Sequence, residues 1–86
     1  MGDLSKLPNI GPKVEKQLNE IGINTLQDLK KIGSKKAWLK IQEIDDSACI
    51  NRLLALEGAL RGTKKSLLPD EIKMDLKNFY NEHKIK

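Results

Sequence analysis

The chain has 86 residues, of which 38% are hydrophobic and 33% are charged, and its formal net charge is +4. We expect residues 1–86 to form a single domain with a modest core, because small domains bury a smaller fraction of their surface than large ones. The single cysteine rules out an intramolecular disulfide, and without a membrane-length apolar run or a signal peptide the expected location is cytoplasmic.

The N-terminal quarter has the pattern of a tight hairpin that leads into a helix. Residues 1–6 are expected to form a short leading turn or helix, and the hairpin follows directly. Pro12 suits a first helical position because proline has no amide hydrogen to leave unpaired there, and Asn9 tolerates the positive φ of a turn. Gly22 is expected to end this helix in the left-handed conformation. The buried stripe of the helix comprises Val14, Leu18 and Ile21.

Two more short helices are predicted before residue 46. Thr25 is expected to cap the second helix and Gly33 to end it. Ser34 can cap the third helix. We expect Trp38, on the apolar face of this helix, to lie in the core and not to serve as a base-stacking platform. A turn over 43–46 completes this part of the chain.

The broadest apolar pattern predicts a central helix from residue 46 or 47 to residue 61, ended by Gly62. Gly58 inside it costs about 1 kcal/mol relative to alanine, which suggests that another helix approaches closely there. Pro69 is predicted to open the last helix, and residues 82–86 are expected to fray. The predicted fold is all-α: a compact bundle of about five short helices containing a helix-hairpin-helix-like motif.

No residue pattern points to an active site. His83 is the only histidine and has no cysteine near it in the sequence, so a metal site is not expected. Cys49 falls on the main apolar stripe, where a buried small hydrophobic residue is a better interpretation than a reactive thiolate. No catalytic serine set or phosphate loop is present. We therefore expect a protein that is not an enzyme and uses no cofactor, metal or small-molecule substrate.

The hairpin segment, residues 8–16, is the strongest candidate for binding. Free backbone amides at a helix start attract anions such as DNA phosphate, and lysines in the first turns would add charge. Ile10 would anchor the loop to the core, Gly11 would let a phosphate come near, and the Asn9 side chain would bond to the local backbone. The candidate phosphate-binding residues are Asn9, Ile10, Gly11, Lys13 and Lys16. The alternative is that the hairpin only joins two helices at a fixed angle.

A second basic region lies between residues 30 and 40, which contain no acidic residue. Its lysines are Lys30, Lys31, Lys35, Lys36 and Lys40. Clustered lysines supply the nonspecific, salt-sensitive part of nucleic-acid binding, but such a run is more often a solvated surface. The longest predicted helix is also the most apolar, so it offers no polar face for reading base edges, and any DNA binding should show little sequence specificity.

The chain resembles the C-terminal domain of the TfoX/Sxy family, bacterial proteins associated with the regulation of natural competence. The resemblance covers nearly the whole chain and is most specific in the helix at 49–59. Its segments are Leu-Pro-Asn-Ile-Gly-Pro at 7–12, the run 22–29, Gly33 with Ala-Trp-Leu at 37–39, the run 49–59, and Leu-Pro at 68–69. It implies a compact helical domain of a protein that assists transcription with a partner activator. Full-length members carry an N-terminal α/β domain before this one, so the start at Met1 favours a stand-alone chain over an excised fragment.

Two functional hypotheses follow. The first is a regulatory or accessory module that binds double-stranded DNA weakly and without sequence specificity through residues 8–16, linked to transcription or competence regulation. The second is a protein-interaction or homodimerisation module without DNA contact, favoured by the apolar residues on both sides of the helix at 46–61. Its partner would be a transcription regulator or a second copy of the chain.

Overall fold

The computed structural model of the protein describes residues 3–45 and 48–84. Within these ranges every regular element is a helix, which confirms the all-α prediction, and no helix there is long and apolar enough to cross a membrane. The elements are a 3-10 helix Asp3–Lys6, α1 Pro12–Glu20, α2 Leu26–Ile44, α3 Ile50–Arg61, a 3-10 helix Lys65–Leu67 and α4 Asp70–His83.

Helix α1 ends as its sequence predicts. Gly22 has φ 93°, and the two hydrogen bonds of a Schellman motif close the helix: the Ile23 amide donates to the Leu18 carbonyl at 2.8 Å and the Gly22 amide to the Asn19 carbonyl at 3.1 Å. Glycine suits this position because a side chain would make a positive φ costly. The motif turns the chain sharply toward the start of α2.

Helix α2 contains both the second and the third predicted helix. Thr25 caps it, since its hydroxyl oxygen accepts the Asp28 amide at 3.1 Å. Gly33, with φ 85°, interrupts the helical geometry as predicted, but the second segment follows without a loop. Ser34 does not cap this segment: its hydroxyl donates to Glu57 of α3 at 2.6 Å. The helix continues to Ile44, so the turn predicted from residue 43 was placed too early.

Helix α3 is the central helix that the broad apolar pattern predicted, and it packs against α2, α4 and the second 3-10 helix. Leu53 and Leu56 are fully buried in it. It begins later than predicted, at Ile50, with a half-buried Cys49 as its N-cap. Residues 46 and 47, at which the helix was predicted to begin, lie outside the described residues. Gly62 ends α3 with φ 71°, as predicted.

Helix α4 closes the core over Trp38. The indole ring is fully buried and makes edge contacts with Phe79 and Tyr80, at ring-centroid distances of 6.2 and 5.5 Å. Trp38 is therefore a core residue, as predicted. Pro69 stands just before the helix and not at its first position. The helix continues through His83, two residues into the segment expected to fray, and residues 85–86 lie outside the described residues.

A polar cluster ties the first three helices together near the end of α2. Gln17 of α1 donates to the Asp45 carboxylate at 2.7 Å and accepts from the Arg52 guanidinium of α3 at 2.7 Å. Arg52 also forms an ion pair with Asp45 at 3.3 Å. Each of these side chains is largely shielded from water, with Arg52 only 16% exposed.

Replacing Arg52 with alanine is expected to lower the free energy of unfolding by about 1–2 kcal/mol, because Gln17 and Asp45 each lose a charged hydrogen-bond donor in a partly buried site. Urea unfolding followed by circular dichroism measures the loss. The control is Asn51→Ala, an exposed neighbour on the same helix, which should change stability by less than about 0.5 kcal/mol. Equal stabilities for the two variants would mean that the cluster contributes nothing.

Candidate nucleic-acid interface

The hairpin segment begins with a turn whose backbone fits its sequence. Asn9 has φ 69°, as predicted, and among the described residues it is the one non-glycine residue with a positive φ. The Ile10 amide donates to the Leu7 carbonyl at 3.3 Å, so Pro8 and Asn9 occupy the central positions of the turn, as in type II turns. Ile10 is 5% exposed and anchors the turn in the core. Since its amide is engaged inside the turn, that amide is not open to a phosphate.

The Asn9 side chain was expected to bond to the local backbone, but it does not. It reaches the loop between α3 and α4 instead. Its Nδ2 donates to the Thr63 carbonyl at 3.0 Å, and its Oδ1 accepts the Lys65 amide at 3.1 Å. The amide group thus joins two segments more than fifty residues apart, and we call this pair of hydrogen bonds the Asn9 bridge.

Gly58 is required where the Asn9 bridge crosses α3. A Cβ atom at residue 58 would lie 2.5 Å from Asn9 Nδ2 and 2.8 Å from the Thr63 carbonyl oxygen. The sequence suggested that another helix approaches at this glycine. That expectation was wrong, because the approaching groups are the hairpin side chain and the loop backbone. A close approach can be read from the sequence, but the identity of the neighbour cannot.

The start of α1 presents its charges outward. The first backbone hydrogen bond of the helix runs from the Glu15 amide to the Gly11 carbonyl at 2.9 Å, so the Lys13 and Val14 amides precede it and have no intrahelical acceptor. Lys13 and Lys16 are both exposed, whereas Glu15 between them is 8% exposed. The arrangement can attract an anion through backbone dipoles and two mobile ammonium groups.

The lysines of the second basic region are divided by the kink at Gly33. Lys30 and Lys31 precede the kink, and the others follow it. Lys35 is engaged within the protein: its ammonium lies 2.8 Å from the Asp75 carboxylate and 5.4 Å from the centroid of the Phe79 ring. The other four lysines are exposed, namely Lys30, Lys31, Lys36 and Lys40.

Sequence reasoning missed two lysines that the fold brings beside the hairpin segment. Lys64 and Lys65 are exposed, and the backbone of Lys65 is held by Asn9. Neither residues 4–14 nor residues 58–69 contain an aspartate or glutamate. The adjacent lysines in a loop were a visible signal. Their position could not be inferred because it depends on a contact between distant segments.

A groove of about 430 Å³ lies at the kink of α2. Four of its charged side chains are paired, Lys35 with Asp75 and Arg61 with Glu57, and the exposed Lys36 also lines it. In the described ranges no group of three or more His, Cys, Asp or Glu residues is placed to hold a metal ion.

The apolar side chains of α3 are used inside the protein. Those that are not buried, including Ile50, Leu54 and Leu60, are half-buried and pack against the core. The large hydrophobic side chains exposed among the described residues lie elsewhere, at Ile44 (49%), Leu67 (68%) and Met74 (60%). Intrachain packing therefore uses much of the apolar surface of α3, and self-association of the chain stays a prediction.

The structure is that of a small helical domain in which a tight turn leads into α1, and α1 presents two exposed lysines near its start. The family model described as the TfoX C-terminal domain matches residues 1–80. The chain belongs to this family, as its sequence resemblance indicated.

A relative and two solved structures support the family assignment. The chain is 33% identical over 66 residues to protein Sxy of Escherichia coli strain K12, a match that covers 77% of this chain and 32% of Sxy. The chain thus spans about a third of the length of that relative. It is also similar to the triclinic crystal structure of an uncharacterized protein from Listeria monocytogenes, with a TM-score of 0.90 and 46% identity over 92% of this chain and 90% of that one. A tetragonal-form structure of a protein of unknown function from the same organism gives a TM-score of 0.88 and 45% identity, covering 91% and 96% of the two chains.

Proposed function

We propose that this domain is a non-enzymatic accessory module that binds duplex DNA weakly through the hairpin segment and acts in transcription or competence regulation. The observation that carries the proposal is the placement of exposed Lys13 and Lys16 around the open start of α1, on a segment whose one acidic residue is buried. The regulatory role rests on the family resemblance, and DNA contact rests on this local charge and geometry.

The geometry favours phosphate recognition over base recognition. Lysine ammonium groups and backbone amides bind phosphate oxygens, which carry no sequence information. A helix that reads the major groove presents polar side chains toward base edges, whereas α1 packs Leu18 and Val14 against the core and is only nine residues long. Binding should therefore be equally strong for unrelated duplex sequences and should weaken steeply with salt.

Reversing the charges of the hairpin segment in the double variant Lys13→Glu, Lys16→Glu is expected to weaken duplex binding by about tenfold or more at low salt, since two phosphate contacts become repulsive. Fluorescence anisotropy with a short labelled duplex at several salt concentrations measures the change. Both side chains are exposed, so circular dichroism should show an unchanged fold.

The matched control is Lys30→Glu, Lys31→Glu, which makes the same change in net charge at two exposed lysines of α2. Equal losses in the two double variants would mean that binding follows total charge, or involves the lysine-rich part of α2, and not the hairpin segment. No salt-dependent binding by the unmodified protein would end the DNA proposal altogether.

A protein partner is the second candidate function, favoured by the exposure of Leu67 and Met74 at 68% and 60%. Exposed apolar side chains of this size mark association surfaces when they are contiguous. The partner would be a transcription regulator or a second copy of this chain. Sedimentation of the same samples distinguishes the two candidates, because self-association through apolar groups should be unaffected by the lysine changes.

A further inference from the structure

We propose that the loop 63–65 is a second DNA-backbone contact, so that the hairpin segment and this loop form one two-loop surface for duplex phosphate. The inference rests on the proposed function and extends it to residues Lys64 and Lys65, which lie outside the hairpin segment. Asn9 is the positioning residue that holds the two loops in register.

The Asn9 bridge holds the loop 63–65 beside the hairpin segment. The Asn9 bridge fixes the loop by both its Thr63 carbonyl and its Lys65 amide, at 3.0 and 3.1 Å. On its other side, Lys73 of α4 donates to the Ser66 carbonyl at 2.9 Å. A loop held at both ends has already lost much of the freedom that binding would otherwise remove. The backbone that carries its lysines is therefore held beside the hairpin segment.

The charges around the Asn9 bridge favour binding of a polyanion. Lys64 and Lys65 are exposed, and the two chain segments that meet at the Asn9 bridge, residues 4–14 and 58–69, contain no acidic residue. The acidic residues that flank the segment 58–69 in the sequence are Glu57, which is paired with Arg61, and the exposed Asp70. Cations without neighbouring carboxylates favour a polyanion, because each phosphate neutralised releases a counterion from the duplex.

The close packing around Gly58 supports the positioning role of Asn9. The Asn9 bridge crosses α3 where a Cβ atom would lie 2.5 Å from Asn9 Nδ2 and 3.2 Å from the Lys65 amide nitrogen. An ordinary corner between two helices needs only the positive φ of Asn9, which glycine would also supply. The asparagine amide adds a specific hold on the lysine-bearing loop, and the missing side chain at Gly58 makes room for it.

The test compares four variants of the full chain by anisotropy with one labelled duplex over a range of salt. Three are double variants: Lys64→Ala with Lys65→Ala, Lys13→Ala with Lys16→Ala, and the control Lys30→Ala with Lys31→Ala. The fourth is the single variant Asn9→Gly. Each lysine pair of the two-loop surface is expected to reduce the slope of log affinity against log salt by about one to two, and by more than the control pair, which lies in the second basic region. Asn9→Gly keeps the turn and releases the loop, so it should weaken binding by about threefold or more.

The outcomes separate this inference from the function on which it rests. Unchanged binding by the Lys64, Lys65 variant, with weakened binding by the Lys13, Lys16 variant, overturns the two-loop surface and leaves the hairpin site standing. A loss confined to the Lys64, Lys65 variant overturns both. Unchanged binding by all three lysine pairs also overturns both. Unchanged binding by Asn9→Gly, verified as folded by circular dichroism, overturns the positioning role of the asparagine.

Discussion

Replacing Trp38 with alanine is expected to destabilise the protein by about 3–5 kcal/mol, the cost of removing a large aromatic side chain from a packed core. The ring is fully buried, and its edge contacts join α2 to α4 through Phe79 and Tyr80. Small domains have total stabilities of only about 5–15 kcal/mol, so this single change should leave a substantial unfolded population at room temperature.

Replacing Trp38 with phenylalanine should be far less damaging and should lower the free energy of unfolding by only about 1–2 kcal/mol. The indole N–H of Trp38 is buried with no hydrogen-bond acceptor among the residues that the structure describes. Phenylalanine removes that unpaired donor, which offsets part of the lost packing. Urea unfolding monitored by far-ultraviolet circular dichroism ranks the variants. Met74→Ala, at a side chain 60% exposed, is the control, and a Trp38→Ala protein as stable as that control would refute the assignment of Trp38 to the core.

The sequence predicted those features of the fold that neighbouring residues determine. Pro12 begins α1, Thr25 caps α2, and the glycines at 22, 33 and 62 take positive φ. Each depends on hydrogen bonds or steric limits within a few residues, so the local sequence contains the necessary information. The apolar spacing likewise identified Trp38 and the central helix, because only a core can accommodate such a face.

The features that were misplaced depend on contacts between distant segments. Ser34 looked like a cap, but its hydroxyl is instead oriented to donate to the Glu57 carboxylate of α3. Helix α3 starts at Ile50, later than its apolar pattern suggested, because periodicity alone does not fix where helical geometry begins. The candidate site shows the same limit. Lys13 and Lys16 were visible in the sequence, whereas Lys65 joins them only through Asn9, fifty-six residues away along the chain.

Replacing Gly58 with alanine is expected to destabilise the protein by about 2 kcal/mol, although the change improves helix propensity by about 1 kcal/mol. The new methyl group would lie 2.5 Å from Asn9 Nδ2 and 2.8 Å from the Thr63 carbonyl oxygen. The side chain can rotate away only by giving up its two hydrogen bonds, and the carbonyl belongs to the backbone that ends α3. In a domain of this size, each kcal/mol of destabilisation lowers the midpoint temperature of unfolding by about 4–8 °C. The variant should therefore unfold at a clearly lower temperature than the unmodified protein.

A double-mutant cycle with Asn9→Gly identifies the source of the destabilisation. Once the Asn9 side chain is absent, Gly58→Ala loses its closest clash and retains only those with the loop backbone, at 2.8 Å for the Thr63 oxygen and 3.2 Å for the Lys65 nitrogen. The two changes should therefore be less than additive, by about 0.5 kcal/mol or more. Strict additivity would mean that the alanine is accommodated without disturbing Asn9. If the coupling is found, the same alanine should also weaken duplex binding, because it displaces the loop that carries Lys64 and Lys65 from its position beside the hairpin segment.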